Sequence, residues 1–136
     1  MKPKKVFITY GTKNFNLQKK HLINLAKKSE FFDYCISYSP QNLNSSFIDR
    51  HKNVLEQKKG GGFWIWKYQI IKQTIENLNM NDFVIYSDSG SSLNLRGKKR
   101  YLEYIDMLYS SDFSTLRFKL DYLEKFWTTK EIFDFF

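Results

Sequence analysis

Asp88 stands in the run Ser87-Asp88-Ser89-Gly90, directly after the apolar stretch Phe83-Val84-Ile85-Tyr86. A carboxylate at the end of a buried strand is badly placed for packing. Small neighbours let a bulky ligand approach the main chain. One carboxylate beside a diphosphate is a way to hold Mg²⁺ or Mn²⁺, since a hard ion takes several of its oxygens from the substrate. Asp and Ser also favour turns and helix caps, so a purely structural turn accounts for the same residues.

A second stretch, Gly60-Gly61-Gly62-Phe63-Trp64-Ile65-Trp66-Lys67, sets three glycines against two tryptophans and a lysine. On residue types alone it reads as a flexible link into an amphipathic helix with core tryptophans. Cys35 lies in an apolar run and reads as a buried thiol. With one Cys and two His the chain has no zinc-ligand cluster and no internal disulfide.

These residues need elements to position them. Val6–Tyr10 reads as a buried first strand stopped by Gly11. Asn14 or Asn16 is expected to cap a helix from about Leu17 to Lys28, with Leu17, His21, Leu22, Leu25 and Ala26 as its apolar stripe. Tyr34–Tyr38 reads as a second strand. Ser45 or Ser46 is expected to cap a helix reaching about Gln57, and a further helix spans about 64–78. Asp82–Asp88 is the clearest strand. A helix from Lys98 to Tyr109 follows, and 113–120 reads as another strand. Thr128-Thr129-Lys130-Glu131 has the pattern of a capping box.

Strands alternating with helices predict an α/β fold with a mostly parallel sheet flanked by helices. In such sheets ligands bind beyond the carboxyl ends of the strands. Two features fall there: Tyr10-Gly11-Thr12 and Ser87-Asp88-Ser89-Gly90.

At 136 residues the chain is expected to form a single domain over 1–136, with enough apolar residues (42%) for a core. Its net charge of +8 suits an anionic partner. No apolar run approaches a membrane span, and the N-terminus is too weakly apolar for a signal peptide. A reducing, cytoplasmic setting is expected, with the basic face suited to peripheral contact with a membrane surface.

The order Gly-Gly-Phe-Trp-Ile-Trp-Lys67, a helix, then Phe83-Val-Ile-Tyr-Ser-Asp-Ser-Gly90 resembles a group of GT-A-fold glycosyltransferases, the capsular and lipopolysaccharide sugar transferases. Asn94, Gly97, the following helix and Glu124-Lys-Phe-Trp-Thr-Thr-Lys130 continue the likeness. The resemblance implies a Rossmann-like GT-A fold, short or incomplete, with the chain as its nucleotide-sugar-binding part. It implies transfer of a sugar from a UDP- or GDP-linked donor to a saccharide or lipid-linked acceptor, with Mn²⁺ or Mg²⁺ at the donor diphosphate.

Residue by residue, Asp88 matches the first carboxylate of that fold's Asp-x-Asp metal motif. The second falls on Gly90, which departs from the pattern and puts the metal in question. The resemblance places Thr9, Tyr10 and Gly11 against the nucleotide. Gly61 and Gly62 would turn the chain and bring amides near the donor, while Trp64 or Trp66 would wall its pocket and stack on a base or sugar. Lys67, near a helix start, would favour a phosphate. Ser87, Ser89 and Gly90 complete the donor side. Asn94, Glu124, Trp127 and Lys130 fall on the acceptor or phosphate side. No catalytic base is evident.

Three other readings fit the sequence. A nucleic-acid-binding module would use the basic charge and the aromatics as stacking platforms, but the lysines are dispersed and no RNA-binding signature occurs. An inactive nucleotide-binding remnant would bind donor without transfer. A structural partner would self-associate through the apolar C-terminus.

Overall fold

The computed structural model describes residues 2–123, 126 and 128–134. Its centre is a parallel three-stranded sheet in the order β2-β1-β3, formed by β1 (Lys5–Tyr10), β2 (Tyr34–Tyr38) and β3 (Phe83–Tyr86). Register pairs Ile8 with Ile36 on one side and with Tyr86 on the other. The chain leaves β1 for one neighbour and returns past it to the other. The strand order therefore reverses at β1, and the crevice outside its carboxyl end is where such sheets take ligands.

β1 is buried on both faces, which is why it reads as an unbroken apolar run. Val6, Ile8 and Tyr10 face one way, onto Phe47 of α2 (Ser45–Leu55) and Trp66 and Ile70 of α4 (Ile65–Ile75). Phe7 faces the other way, onto Leu22, Ile23 and Ala26 of α1 (Asn16–Ser29). Between α2 and α4 lies the short turn α3 (Gly60–Phe63). After β3 come α5 (Lys98–Tyr109) and a last turn, α6 (Lys130–Phe133).

Several local expectations are corrected. α1 turns Lys19, Leu22, Ile23 and Ala26 inward, whereas Leu17 is 82% exposed and His21 is exposed. Spacing of three, one and three residues is the helical period, and the Lys19 stem extends the apolar face. Neither Asn14 nor Asn16 caps α1; a 3₁₀ turn, Lys13–Phe15, leads into it. Asn44, rather than Ser45 or Ser46, caps α2 by accepting from the Phe47 amide. Residues 113–120 form no strand, although Leu116, Phe118 and Leu120 alternate with Arg117 and Lys119. Alternation supplies a face but not a hydrogen-bonding partner, and a strand needs both. Among the described residues, no helix is long and apolar enough to cross a membrane.

Candidate functional site

The carboxyl ends of β1 and β3 gather residues far apart in sequence. Asp88 follows β3 by two residues, so it lies on the same side of the strand as Tyr86. The Tyr86 hydroxyl donates to Asp88 Oδ1. The Lys67 ammonium, in the first turn of α4, lies 3.2 Å from the same oxygen. It also rests 4.9 Å from the Tyr86 ring centroid and 5.9 Å from that of Trp66. These contacts fix both charged ends of the pair. The Tyr86 hydrogen bond chiefly, helped by Lys67, holds the Asp88 carboxyl below the usual carboxylate range against the opposing effect of burial. Burial first, and the Asp88 charge with it, push the Tyr86 phenol far up.

The glycines earn their place through backbone shape. Gly60, Gly61 and Gly62 all have positive φ, and so do Phe63 and Trp64. This left-handed stretch is closed by amide bonds from Phe63 to Lys59 O and from Trp64 to Gly60 O. Each non-glycine residue there costs roughly 1–2 kcal/mol. A Cβ on Gly62 would come within 2.7 Å of the Leu55 Cα, so glycine is required there on two counts. Gly61 lies beside Thr12, which joins the turn to the loop after β1.

The tryptophans divide. Trp66 is 7% exposed; it stacks on Tyr10, and its Nε1–H donates to Gly60 O at 2.9 Å. It is a core residue that locks the turn. Trp64 is 48% exposed, its indole against Gly60, and is the one of the two that presents a surface to a ligand.

On the opposite side of the sheet end, Lys19 is 9% exposed and donates to Gly11 O and Tyr38 O, both at 3.1 Å. Among the described residues it forms no ion pair, and burial lowers its pKa. Ser89 is buried too and reaches the space beside Gly11, next to the Lys19 stem. Thr9 is fully buried, and its Oγ1 has no hydrogen-bond partner among the described residues. Burial pushes the Tyr10 phenol up to about 12.

Of the sequence-derived residues, Tyr10, Gly11, Gly61, Trp66, Lys67, Ser89 and Asp88 thus converge, directly or through one neighbour, on one end of the sheet. Ser87 donates its amide to Ile8 O and continues the β3 pairing. Gly90 faces open space: no atom of the described residues lies within 4 Å of where a Cβ would stand. Asn94 accepts from the Arg96 amide and caps its own turn. Lys130 pairs with Asp134 one helical turn away. Glu124 and Trp127 lie outside the described residues. Tyr86 and Lys19 were not among the expected site residues. Period two from Asp88 finds the first, and helical spacing from Leu22, Ile23 and Ala26 finds the second.

The residues do not fit a resident Mn²⁺ or Mg²⁺. No group of three His, Cys, Asp or Glu side chains among the described residues could hold a metal. Asp88 Oδ1 already takes an ammonium and a phenol, a metal there would face the Lys67 charge at close range, and the position of the second carboxylate is a glycine.

A separate groove of about 760 Å³ runs along the outer edge of β3, between Ile75, Leu78, Phe83, Leu108 and Phe113. Tyr86 lines it, but Lys67 and Asp88 do not. No known protein family, curated protein or solved structure matches the chain.

Proposed function

We propose that the chain binds a nucleoside-diphosphate sugar at the carboxyl ends of β1 and β3 and passes the sugar to a saccharide or lipid-linked acceptor. The observation that carries this reading is the Lys67–Asp88–Tyr86 cluster, at the carboxyl end of the sheet where the strand order reverses. Its support is threefold. The parallel sheet suits a nucleotide site, the left-handed glycine turn brings main chain beside the loop after β1, and Trp64 offers a half-exposed indole for a base. The chemistry asks mainly for positioning and for stabilising the departing diphosphate.

The test is a competition experiment. UDP, GDP and CMP, and the corresponding nucleotide sugars, are titrated by calorimetry, alongside a single-stranded oligonucleotide at rising salt. Saturable binding of one nucleoside diphosphate and its sugar, with weak oligonucleotide binding, supports the reading. Tight oligonucleotide binding with a steep salt dependence, and indifference to nucleotides, would replace it with a single-strand-binding module.

A further inference from the structure

Resting on that reading, we propose that the positive charge for the donor diphosphate is supplied by the protein itself: the Lys67 ammonium, held by Asp88 and Tyr86, stands where a divalent ion would otherwise sit. Asp88 is then a positioning residue for a lysine and not a metal ligand.

The geometry carries this in three steps. First, Lys67 is tethered from several sides: a carboxylate oxygen at 3.2 Å and two aromatic faces. A free lysine side chain carries large rotamer entropy, and tethering removes much of that loss from the binding step. Second, an ammonium has three N–H donors. One carboxylate oxygen and two ring faces leave donor capacity, and the side chain is 37% exposed, so an incoming phosphate can reach it. Third, the charge balance at this end of the sheet favours an anion. Lys67 and Asp88 cancel. Lys19, buried with only neutral carbonyls as partners among the described residues, leaves one positive charge there without an anion. Lys67 would contact the diphosphate, and Lys19 would act through its field, weakly screened because it is buried. Gly90 in open space leaves room for the phosphates where the motif's second carboxylate would stand.

The proposal separates from a metal site by the effect of one substitution. Asp88→Asn keeps an oxygen acceptor for Tyr86 and Lys67 but removes the negative charge beside the phosphates. A metal ligand so changed loses nucleotide; in a lysine holder so changed, the looser hold on Lys67 is offset by the lost repulsion of the phosphates, and nucleotide binding is kept. UDP and GDP are therefore titrated in EDTA and in Mn²⁺, on the unaltered chain and on Asp88→Asn, Lys67→Met and Lys67→Arg, with circular dichroism confirming that each folds. Expected are binding in EDTA that Mn²⁺ changes by less than about threefold, undiminished binding by Asp88→Asn, and a loss of about ten- to a hundredfold in Lys67→Met. Lys67→Arg, which keeps the charge, should recover most of that loss. Binding that requires Mn²⁺ and is lost in Asp88→Asn overturns the inference while the nucleotide-sugar reading stands. Binding by no nucleotide in either condition overturns the reading and the inference together.

Discussion

Tyr10, the last residue of β1, stacks on Trp66 of α4 with ring centroids 3.9 Å apart and planes 15° apart. This contact joins the end of the central strand to the first turn of the helix that carries Lys67. It also seats the tryptophan whose Nε1–H closes the glycine turn. The stack therefore sets the distance between the loop after β1 and the Lys67–Asp88 pair.

Trp66→Ala should destabilise the protein by about 3–5 kcal/mol, the usual loss for truncating a buried aromatic. Trp66→Phe keeps the stack but loses the donor to Gly60 O, so its loss should be nearer 1 kcal/mol. Urea unfolding of the two variants measures the difference. No loss in Trp66→Phe would mean that the indole nitrogen contributes nothing to the turn, and equal losses in the two variants would mean that the ring stack contributes nothing.

The glycine turn makes a graded prediction. Gly62→Ala combines φ of +95° with a clash against Leu55 main chain. It should lose more stability than Gly61→Ala, where a Cβ meets only ordinary contacts and the backbone alone is strained, costing roughly 1–2 kcal/mol. Trp64→Gly relieves roughly 1–2 kcal/mol of backbone strain but loosens the unfolded chain and strips a half-buried indole from Gly60, so the fold should lose stability on balance while it loses the exposed indole. Chemical denaturation reads the first effect, and nucleotide titration reads the second as weaker binding.

Thr9 offers a test of burial. Its hydroxyl is sealed in the sheet without a partner among the described residues. Thr9→Val keeps the shape and removes the unpaired polar atom, so stability should rise by about 1–3 kcal/mol. A fall in the urea midpoint would mean that the hydroxyl meets a group not apparent in its surroundings.

Asp88 has a folded-state pKa below its ordinary value, chiefly through the Tyr86 hydrogen bond and then Lys67. A depressed carboxylate binds fewer protons in the folded chain than in the unfolded one. Its contribution to stability is thus present above the unfolded value near pH 4 and fades as pH falls through the lower folded value. The pair is largely exposed, so the contribution itself is small, of the order of 1 kcal/mol or less. Carboxylate NMR titration should show both Tyr86→Phe and Lys67→Met returning Asp88 toward the ordinary range. An Asp88 carboxyl that titrates unchanged in both variants would contradict the cluster.

Much of the fold was legible because its signals are local. The three strands coincide with short β-branched or aromatic runs, and α4 and α5 with periodic apolar stretches. The α1 stripe is harder to read, because Lys19 is polar by type while its stem lies along the buried face. The strand expected over 113–120 failed because pairing is not encoded in one segment. At the site, Asp88 and Lys67 stood out by residue type, but their meeting did not. That follows only when β3 lies beside β1 and α4 packs across both. The division of labour between Trp64 and Trp66 was likewise invisible, since it depends on which indole the left-handed turn rotates toward Tyr10.

The central claim places a nucleoside diphosphate at the carboxyl ends of β1 and β3, and amide NMR tests it most directly. On adding UDP or GDP in EDTA, the account predicts shifts confined to Gly11 and Thr12, to residues 60–67 and to residues 86–90. Unmoved amides there, or shifts gathered instead along the groove at Leu78, Leu108 and Phe113, would contradict it.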